Sequence, residues 1–128
     1  MWAMRHVWLT CCVLLAACVT GSNVEPARPT AWAQPVSGGG VDNWYRVSSD
    51  LFRCAQPSAD GMRSLQAYGI ASVVNLREHH SDADEVAGSD LLLIENPLKA
   101  HDLNHERLVE ILAALRAAPK PLAVHCWH

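Results

Sequence analysis

The C-terminal residues of the sequence bring together side chains that could do chemistry. His125, Cys126 and His128 follow a short apolar run, 121–124. A Cys thiolate is a nucleophile, but a free thiol has a pKa of about 8.5 and needs surroundings that favour its charged form. A lone Cys can also be a small buried hydrophobe, and all three residues are potential zinc ligands. Because no Cys-x-x-Cys pair or His-Glu-x-x-His helix supports them, we predict no metal site.

The elements upstream must position this Cys. The run 121–124 is bounded by prolines and predicts a short buried strand that ends at His125. Apolar runs and turn residues predict four earlier strands and two helices: strands at 44–47, 51–54, 70–76 and 91–94, and helices from Ser58 to Tyr68 and from Glu106 to Ala117. Helices that alternate with strands favour an α/β sheet of parallel character, with its ligand at the C-terminal ends of the strands.

Two segments carry a resemblance to a known family. Arg53, Gln56 and Pro57 precede the first helix, and 69–77 then reads Gly-Ile-Ala-Ser-Val-Val-Asn-Leu-Arg. This order is similar to the opening of bacterial dual-specificity and tyrosine-type cysteine-dependent phosphatases. Val124-His125-Cys126 is similar to the start of their active-site pattern, His-Cys-x-x-Gly-x-x-Arg. The resemblance covers 43–128 and implies the cysteine-phosphatase sheet, with mostly parallel central strands and flanking helices.

The resemblance also implies roles for individual residues. Cys126 would be the nucleophile of phosphomonoester hydrolysis through a cysteinyl-phosphate intermediate, without metal or cofactor, and His125 would support its loop. Asp102 would be the general acid, or else a helix N-cap. Arg77 would contact phosphate, or else be an ordinary surface arginine. The substrate would be a phosphorylated protein, a small phosphomonoester or a phosphoinositide.

The family's Gly and Arg after the nucleophile are not in the sequence, which ends at His128. In such a loop, backbone N–H groups and a bidentate Arg hold the phosphate oxygens. We therefore expect 43–128 to be the N-terminal portion of the phosphatase domain, with the C-terminal part of the fold missing and no activity of its own. The alternative is a non-catalytic, lipid-anchored half-domain or degenerate fragment.

The N-terminal region predicts export. Residues 1–17 contain Arg5 and then an apolar stretch too short to span a bilayer, which is typical of a signal peptide. Leu15-Ala16-Ala17-Cys18 resembles a bacterial lipobox, which implies lipid on Cys18. The segment 18–42 is rich in Pro, Gly and Ser and predicts a flexible tether. By resemblance, Val19 in place of Asp favours the periplasmic side of the outer membrane over the inner membrane.

Charge and cysteine usage narrow the partners further. The chain has a formal net charge of −3 at pH 7 and no run of basic residues, so we expect no nucleic-acid partner. Of its five Cys, only Cys54 and Cys126 would be free thiols after signal removal and lipidation. No disulfide framework is indicated.

Lipidation of Cys18 can be tested directly. Cells that express the chain and are fed a labelled fatty acid should incorporate label into it, whereas Cys18→Ala should incorporate none. Two or more acyl chains would anchor the protein stably, since each buried CH₂ contributes about 0.8 kcal/mol. Equal labelling of the two proteins would contradict the assignment.

Overall fold

The protein is described by a computed structural model of residues 27–127. The predicted signal peptide, the lipidation site Cys18 and the first part of the tether lie outside these residues. No helix within 27–127 is long and apolar enough to cross a membrane. The strands are β1 (Gln34–Pro35), β2 (Tyr45–Arg46), β3 (Leu51–Cys54), β4 (Ser72–Asn75), β5 (Leu92–Glu95) and β6 (Leu122–His125); the helices are α1 (Ala59–Tyr68), α2 (Ala83–Val86) and α3 (His105–Ala117), with a 3₁₀ helix at Ala100–Asp102.

The strands form one mixed sheet in the order β1-β2-β3-β6-β4-β5. β1, β2 and β3 pair antiparallel, and β3, β6, β4 and β5 pair parallel. The predicted α/β class, with mostly parallel central strands, is therefore confirmed. β6 lies between β3 and β4, so His125 pairs with Cys54 on one side and Asn75 on the other.

The first helix follows the local signals in the sequence. The Gly61 N–H donates to Ser58 Oγ at 3.2 Å, which satisfies a free donor of the first turn. The helix ends at Gly69, whose φ of 105° is a left-handed conformation that glycine adopts without a steric cost. Met62 and Leu65 are fully buried against the sheet. The predicted helix from Ser58 to Tyr68 is therefore confirmed, with Ser58 as its N-cap.

The sheet is covered on both faces. The α1 face carries the larger apolar cluster, with Met62, Leu65, Phe52 and Trp44 at its centre. Tyr68 closes this cluster with edge-to-face contacts to Trp44 and Phe52, at centroid distances of 4.9 and 5.5 Å. The opposite face carries a smaller cluster that includes Val74, Ala118, Leu122 and Leu115. The central strands β4 and β6 are thus buried between two layers, which explains their nearly continuous apolar sequences, whereas β5 at the edge of the sheet is partly exposed.

The end of the predicted tether differs from the sequence-based expectation. Residues 34–42 join the domain, because β1 pairs with β2 and Val41 is buried in the larger cluster. Gly38, Gly39 and Gly40 all have positive φ, between 64° and 109°. The three glycines therefore shape a loop that returns the chain from β1 towards β2, where composition alone predicted a flexible spacer.

Candidate active site

Cys126 follows the C-terminal end of β6 and is exposed. It opens onto a cleft of about 480 Å³. The cleft is lined by residues that follow β4, β5 and β6: Arg77, Glu78, His79, Leu98, Lys99, Ala100, His101, Cys126 and Trp127. The thiol therefore lies at the C-terminal edge of the parallel strands, which is where α/β sheets bind ligands.

His125, the residue before Cys126, is fixed by a buried carboxylate. His125 Nε2 lies 2.5 Å from Asp82 Oδ2, and both side chains are 0% exposed. On the other side of the ring, His125 Nδ1 lies 3.2 Å from the carbonyl oxygen of Cys126. Burial alone would raise the pKa of Asp82, but hydrogen bonds from His125 and Gln56 outweigh it and hold that pKa below its ordinary value. Asp82 is therefore a buried carboxylate that stays ionised at neutral pH.

Gln56 extends this contact to the cleft. Its Nε2 donates to Asp82 Oδ1 at 2.8 Å, and its Oε1 accepts from Arg77 Nη1 at 2.9 Å. The guanidinium carbon of Arg77 also lies 4.1 Å from the centre of the Trp127 ring, a cation–π distance. Hydrogen bonds thus run from Arg77 through Gln56 and Asp82 to His125, beside Cys126. The amide of Gln56 suits this position because it donates and accepts at once.

The backbone after β4 is held to the same centre. The Leu76 N–H donates to the carbonyl of His125 at 2.9 Å, one residue beyond the paired strands. Asn75 is buried, accepts from the Arg77 N–H at 2.8 Å, and donates to the carbonyl of His80 at 2.8 Å. One amide side chain therefore sets the turn that carries Arg77 into the cleft.

A second ion pair lies within the cleft. Lys99 Nζ is 2.9 Å from Glu78 Oε1 and joins the segment after β5 to the segment after β4. The hydrogen bond from Lys99 lowers the pKa of Glu78, and the same bond raises the pKa of Lys99. Arg77 and Lys99 are cations, and Trp127 and Leu98 are apolar. The cleft therefore has the groups needed to bind an anion attached to an apolar body.

The predicted site residues do not all meet. Cys126, His125 and Arg77 lie together, as described above. Asp102 ends the 3₁₀ helix with its side chain 58% exposed, 3.5 Å from His101, and it is not among the residues that line the cleft. Nor does it cap α3, because the Arg107 N–H donates to Asn104 Oδ1. Its assignment as the general acid stays a prediction.

Sequence reasoning missed Asp82 and gave no role to Gln56 or Trp127. Asp82 belongs to a polar, acidic run that predicts a solvated loop, yet it is completely buried. The one signal in the sequence was its place directly before the helical segment 83–86, where an acid often caps a helix. In the structure, however, the Asp82 side chain does not cap α2. Gln56 was part of the family resemblance. The hydrogen-bond partner of its amide could not be identified from the sequence, because Asp82 is 26 residues away along the chain.

The two thiols of the described residues should differ sharply in reactivity. Burial, and secondarily the charge of Asp82, raise the pKa of Cys54 to about 12, whereas Cys126 is exposed. In the folded full chain at neutral pH, iodoacetamide should modify Cys126 and spare Cys54, because the thiolate is the reacting species. Peptide mapping by mass spectrometry measures each site. Unfolding in urea should make the two sites equivalent; equal modification before unfolding would contradict the burial of Cys54.

Asp82 should contribute a pH-dependent part of the stability. Its folded pKa lies below the unfolded value of about 3.9, so its contribution is present above about pH 4 and is lost as the pH falls through the folded pKa. Asp82→Asn should lower the free energy of unfolding by about 2–3 kcal/mol at neutral pH, because a charged hydrogen-bond acceptor is lost. The loss should shrink towards about pH 3. Urea denaturation at both pH values measures it, with the exposed Asp84→Asn as control; a pH-independent difference would refute the assignment.

In a comparison with known proteins, the chain is similar in sequence to one phosphatase. The dual specificity protein phosphatase TpbA, from two strains of Pseudomonas aeruginosa, is 27% identical over 117 residues, which are 90% of this chain and 52% of the relative. The chain thus spans about half the length of the curated relatives it matches. No protein-family model matches the chain.

Several solved structures have a fold similar to that of this chain. The crystal structure of P. aeruginosa TpbA has a TM-score of 0.71 and 29% identity, covering 80% of this chain and 63% of that one. A Cys-to-Ser variant of TpbA in complex with phosphotyrosine has a TM-score of 0.69 and 27% identity, covering 78% and 61%. The core catalytic domain of the phosphatase SIW14 from S. cerevisiae shares the fold, with a TM-score of 0.58 at 14% identity, covering 66% and 56%. The chain is thus similar to the phosphatase TpbA in sequence and fold, and similar to the SIW14 domain in fold.

Proposed function

We propose that the chain provides the nucleophile-bearing part of a cysteine-dependent phosphatase, with Cys126 as nucleophile. The observation that carries this proposal is the exposed thiol at the C-terminal end of the central parallel strand, beside a cleft with Arg77 and Lys99. The similarity to TpbA in sequence and fold supports the same activity class.

In the proposed reaction, the Cys126 thiolate attacks the phosphorus of a phosphomonoester. A sulfur–phosphorus bond forms, the bond from phosphorus to the leaving oxygen breaks, and a general acid protonates that oxygen. Water then hydrolyses the cysteinyl phosphate and releases inorganic phosphate and the thiolate. We keep Asp102 as the candidate acid, because it follows β5 in the segment that carries the cleft residues Lys99 and His101. His125, held by Asp82, would fix the peptide of Cys126 during both steps.

The substrate class that fits best is an aryl phosphate such as phosphotyrosine. The Trp127 ring and Leu98 offer apolar surface beside the cations of the cleft, so that a ring and its phosphate could be bound together. A TpbA variant has been crystallised with phosphotyrosine, which supports this choice over phosphoserine or a phosphoinositide.

The 128-residue polypeptide by itself should be inactive. Among the described residues, the only guanidinium that lines the cleft is Arg77, and it is already bound to Gln56. A phosphate loop supplies several N–H donors and an Arg, and removing one such donor typically costs about 10²–10³-fold in kcat. The sequence contains no Gly or Arg after Cys126 to supply them. Activity would therefore need a segment with these groups joined after the nucleophile.

We also propose that the domain is exported and lipid-anchored through Cys18, at the periplasmic side of the outer membrane. The lipobox-like segment 15–18 is the basis of this proposal. Pairing of β1 with β2 would leave a tether shorter than predicted, because residues 34–42 join the domain.

The decisive experiment compares the 128-residue chain with a chimera in which the residues after Trp127 are replaced by the corresponding C-terminal part of TpbA. Hydrolysis of para-nitrophenyl phosphate is measured for both. We expect no Cys126-dependent turnover from the chain. The chimera should be active, should lose all activity with Cys126→Ser, and should prefer phosphotyrosine over phosphoserine peptides.

Three results would count against the proposal. Turnover by the 128-residue chain that Cys126→Ser abolishes would overturn its inactivity. Turnover by the chimera that survives Cys126→Ser would overturn the nucleophile. A chimera that folds, by circular dichroism, and still has no activity would favour the alternative of a non-catalytic lipid-anchored half-domain. Leu112→Ala in the chimera serves as the control for Cys126→Ser, because Leu112 is exposed on α3 and does not line the cleft.

A further inference from the structure

A second group of polar side chains lies beside Asp82, on the side away from His125. His80 Nε2 is 3.6 Å from Asp82 Oδ1 and 3.2 Å from Glu85 Oε1. The three residues each offer one ligand atom, and these atoms lie within 4.8 Å of one another. The sequence favoured a solvated surface loop at 79–85, with a metal role for His79 and His80 as the less favoured alternative.

The spacing of these atoms suits a small cation. Zinc binds imidazole nitrogen and carboxylate oxygen at about 2.0–2.2 Å in a tetrahedral arrangement, in which neighbouring ligand atoms are about 3.3–3.5 Å apart. The separations at His80 bracket that value. Zinc accepts both imidazole nitrogen and carboxylate oxygen as ligands, and sites with three protein ligands leave the fourth position to water.

Glu85 gives an independent sign that a partner belongs here. Its Oε2 is buried and has no hydrogen-bond partner among the described residues. Buried polar atoms are normally paired, since leaving one unpaired costs about 1–3 kcal/mol. The other oxygen of the same carboxylate is the one that contacts His80. A cation held by both oxygens of Glu85 would satisfy the unpaired one. Ligand exchange is possible because the His80 and Glu85 side chains are 36% and 24% exposed.

The negative charge around His80, Asp82 and Glu85 also favours binding of a cation. The Asp82 N–H donates to Glu95 Oε1 at 3.2 Å, so a third carboxylate adjoins the two of the cluster. Arg77 is directed to Gln56 and Trp127, and Lys99 to Glu78. His80 and His125 are thus the basic side chains that contact the carboxylates of Asp82 and Glu85.

The ligands are held in place before any ion binds. The carbonyl of His80 accepts from Asn75 Nδ2, and the carbonyl of Asp82 accepts from the Val86 N–H at 3.0 Å in the first turn of α2. Gln56 and His125 fix both oxygens of Asp82. A carboxylate oxygen has lone pairs for two partners, so the bond from Gln56 leaves Asp82 Oδ1 able to bind a metal. Such outer partners orient ligands in known metal sites.

We propose that His80, Asp82 and Glu85 form a binding site for a divalent transition-metal ion of the zinc class. The ion would contact one oxygen of Asp82 while the other oxygen contacts His125. The site would thus be a structural one beside Cys126, next to the turn of Arg77 and Glu78 that also lines the cleft. It takes no part in the proposed chemical step.

The test is direct metal binding by the purified, metal-free full chain in reducing buffer. Zn²⁺ is titrated against a chromophoric chelator, and Co²⁺ is used as a spectroscopic probe of the ligands. We expect one Zn²⁺ per chain, a metal-dependent rise in the melting temperature, and a Co²⁺ spectrum without thiolate charge transfer. His80→Ala and Glu85→Gln should each weaken binding at least about tenfold.

Neighbouring residues provide matched controls. His79→Ala and Asp84→Asn alter an exposed His and an exposed acid next to the ligands, and both should bind like the original chain. Absence of Zn²⁺ binding, an equal loss with His79→Ala, or a thiolate charge-transfer band would each overturn the site. Glu85→Gln keeps the shape of the side chain, so its circular dichroism separates a lost ligand from a lost fold. No readout depends on phosphatase activity.

Discussion

The contact between His125 and Asp82 is the constraint on which the rest of the site depends. Both side chains are withdrawn from water, and an ionised carboxylate in such a place is tolerated only when its oxygens are bonded. The contact joins three segments: the end of β6 with His125, the turn before α1 with Gln56, and the loop into α2 that holds Asp82 itself. All three segments must be correctly placed at the same time, since displacing any one leaves a charge or an amide without its hydrogen-bond partner. The position of Cys126 is therefore fixed by a polar centre that is not itself exposed.

The same centre connects the two surfaces around it. Arg77 contacts it from the cleft through Gln56, and His80 contacts it directly at Asp82. A change on either side alters the hydrogen bonds available to Asp82, and through it the ring of His125. Buried polar networks of this kind respond as a unit, because low local polarity strengthens every bond and penalises every gap.

Much of the fold could be predicted because the signals for it are local. Ser58 and Gly69 bound α1 through capping and a left-handed turn, which need no distant partner. The apolar runs that became β4 and β6 reflect burial on both faces of a parallel sheet. The exposed Cys126 at the end of β6 followed from the strand and from the family pattern.

What could not be predicted depends on contacts between distant segments. Asp82 looks like any acid in a polar loop until His125, 43 residues away, is placed against it. β1 is only two residues long and is defined by its partner β2, so composition pointed to a tether instead. Asp102 was assigned by its order along the chain, and order does not say which way a 3₁₀ helix presents its side chains.

The place of β6 in the sheet has a consequence for synthesis of the chain. β6 is the last of the strands in the described part of the chain, yet it separates β3 from β4. Until it emerges from the ribosome, β1–β3 and β4–β5 are two unjoined pieces, each with an open edge that could pair with another nascent chain. Assembly must wait for long-range contacts, which makes folding slow compared with a helical domain of this size. Chaperones that shield strand edges would then matter most in the interval just before β6 is released.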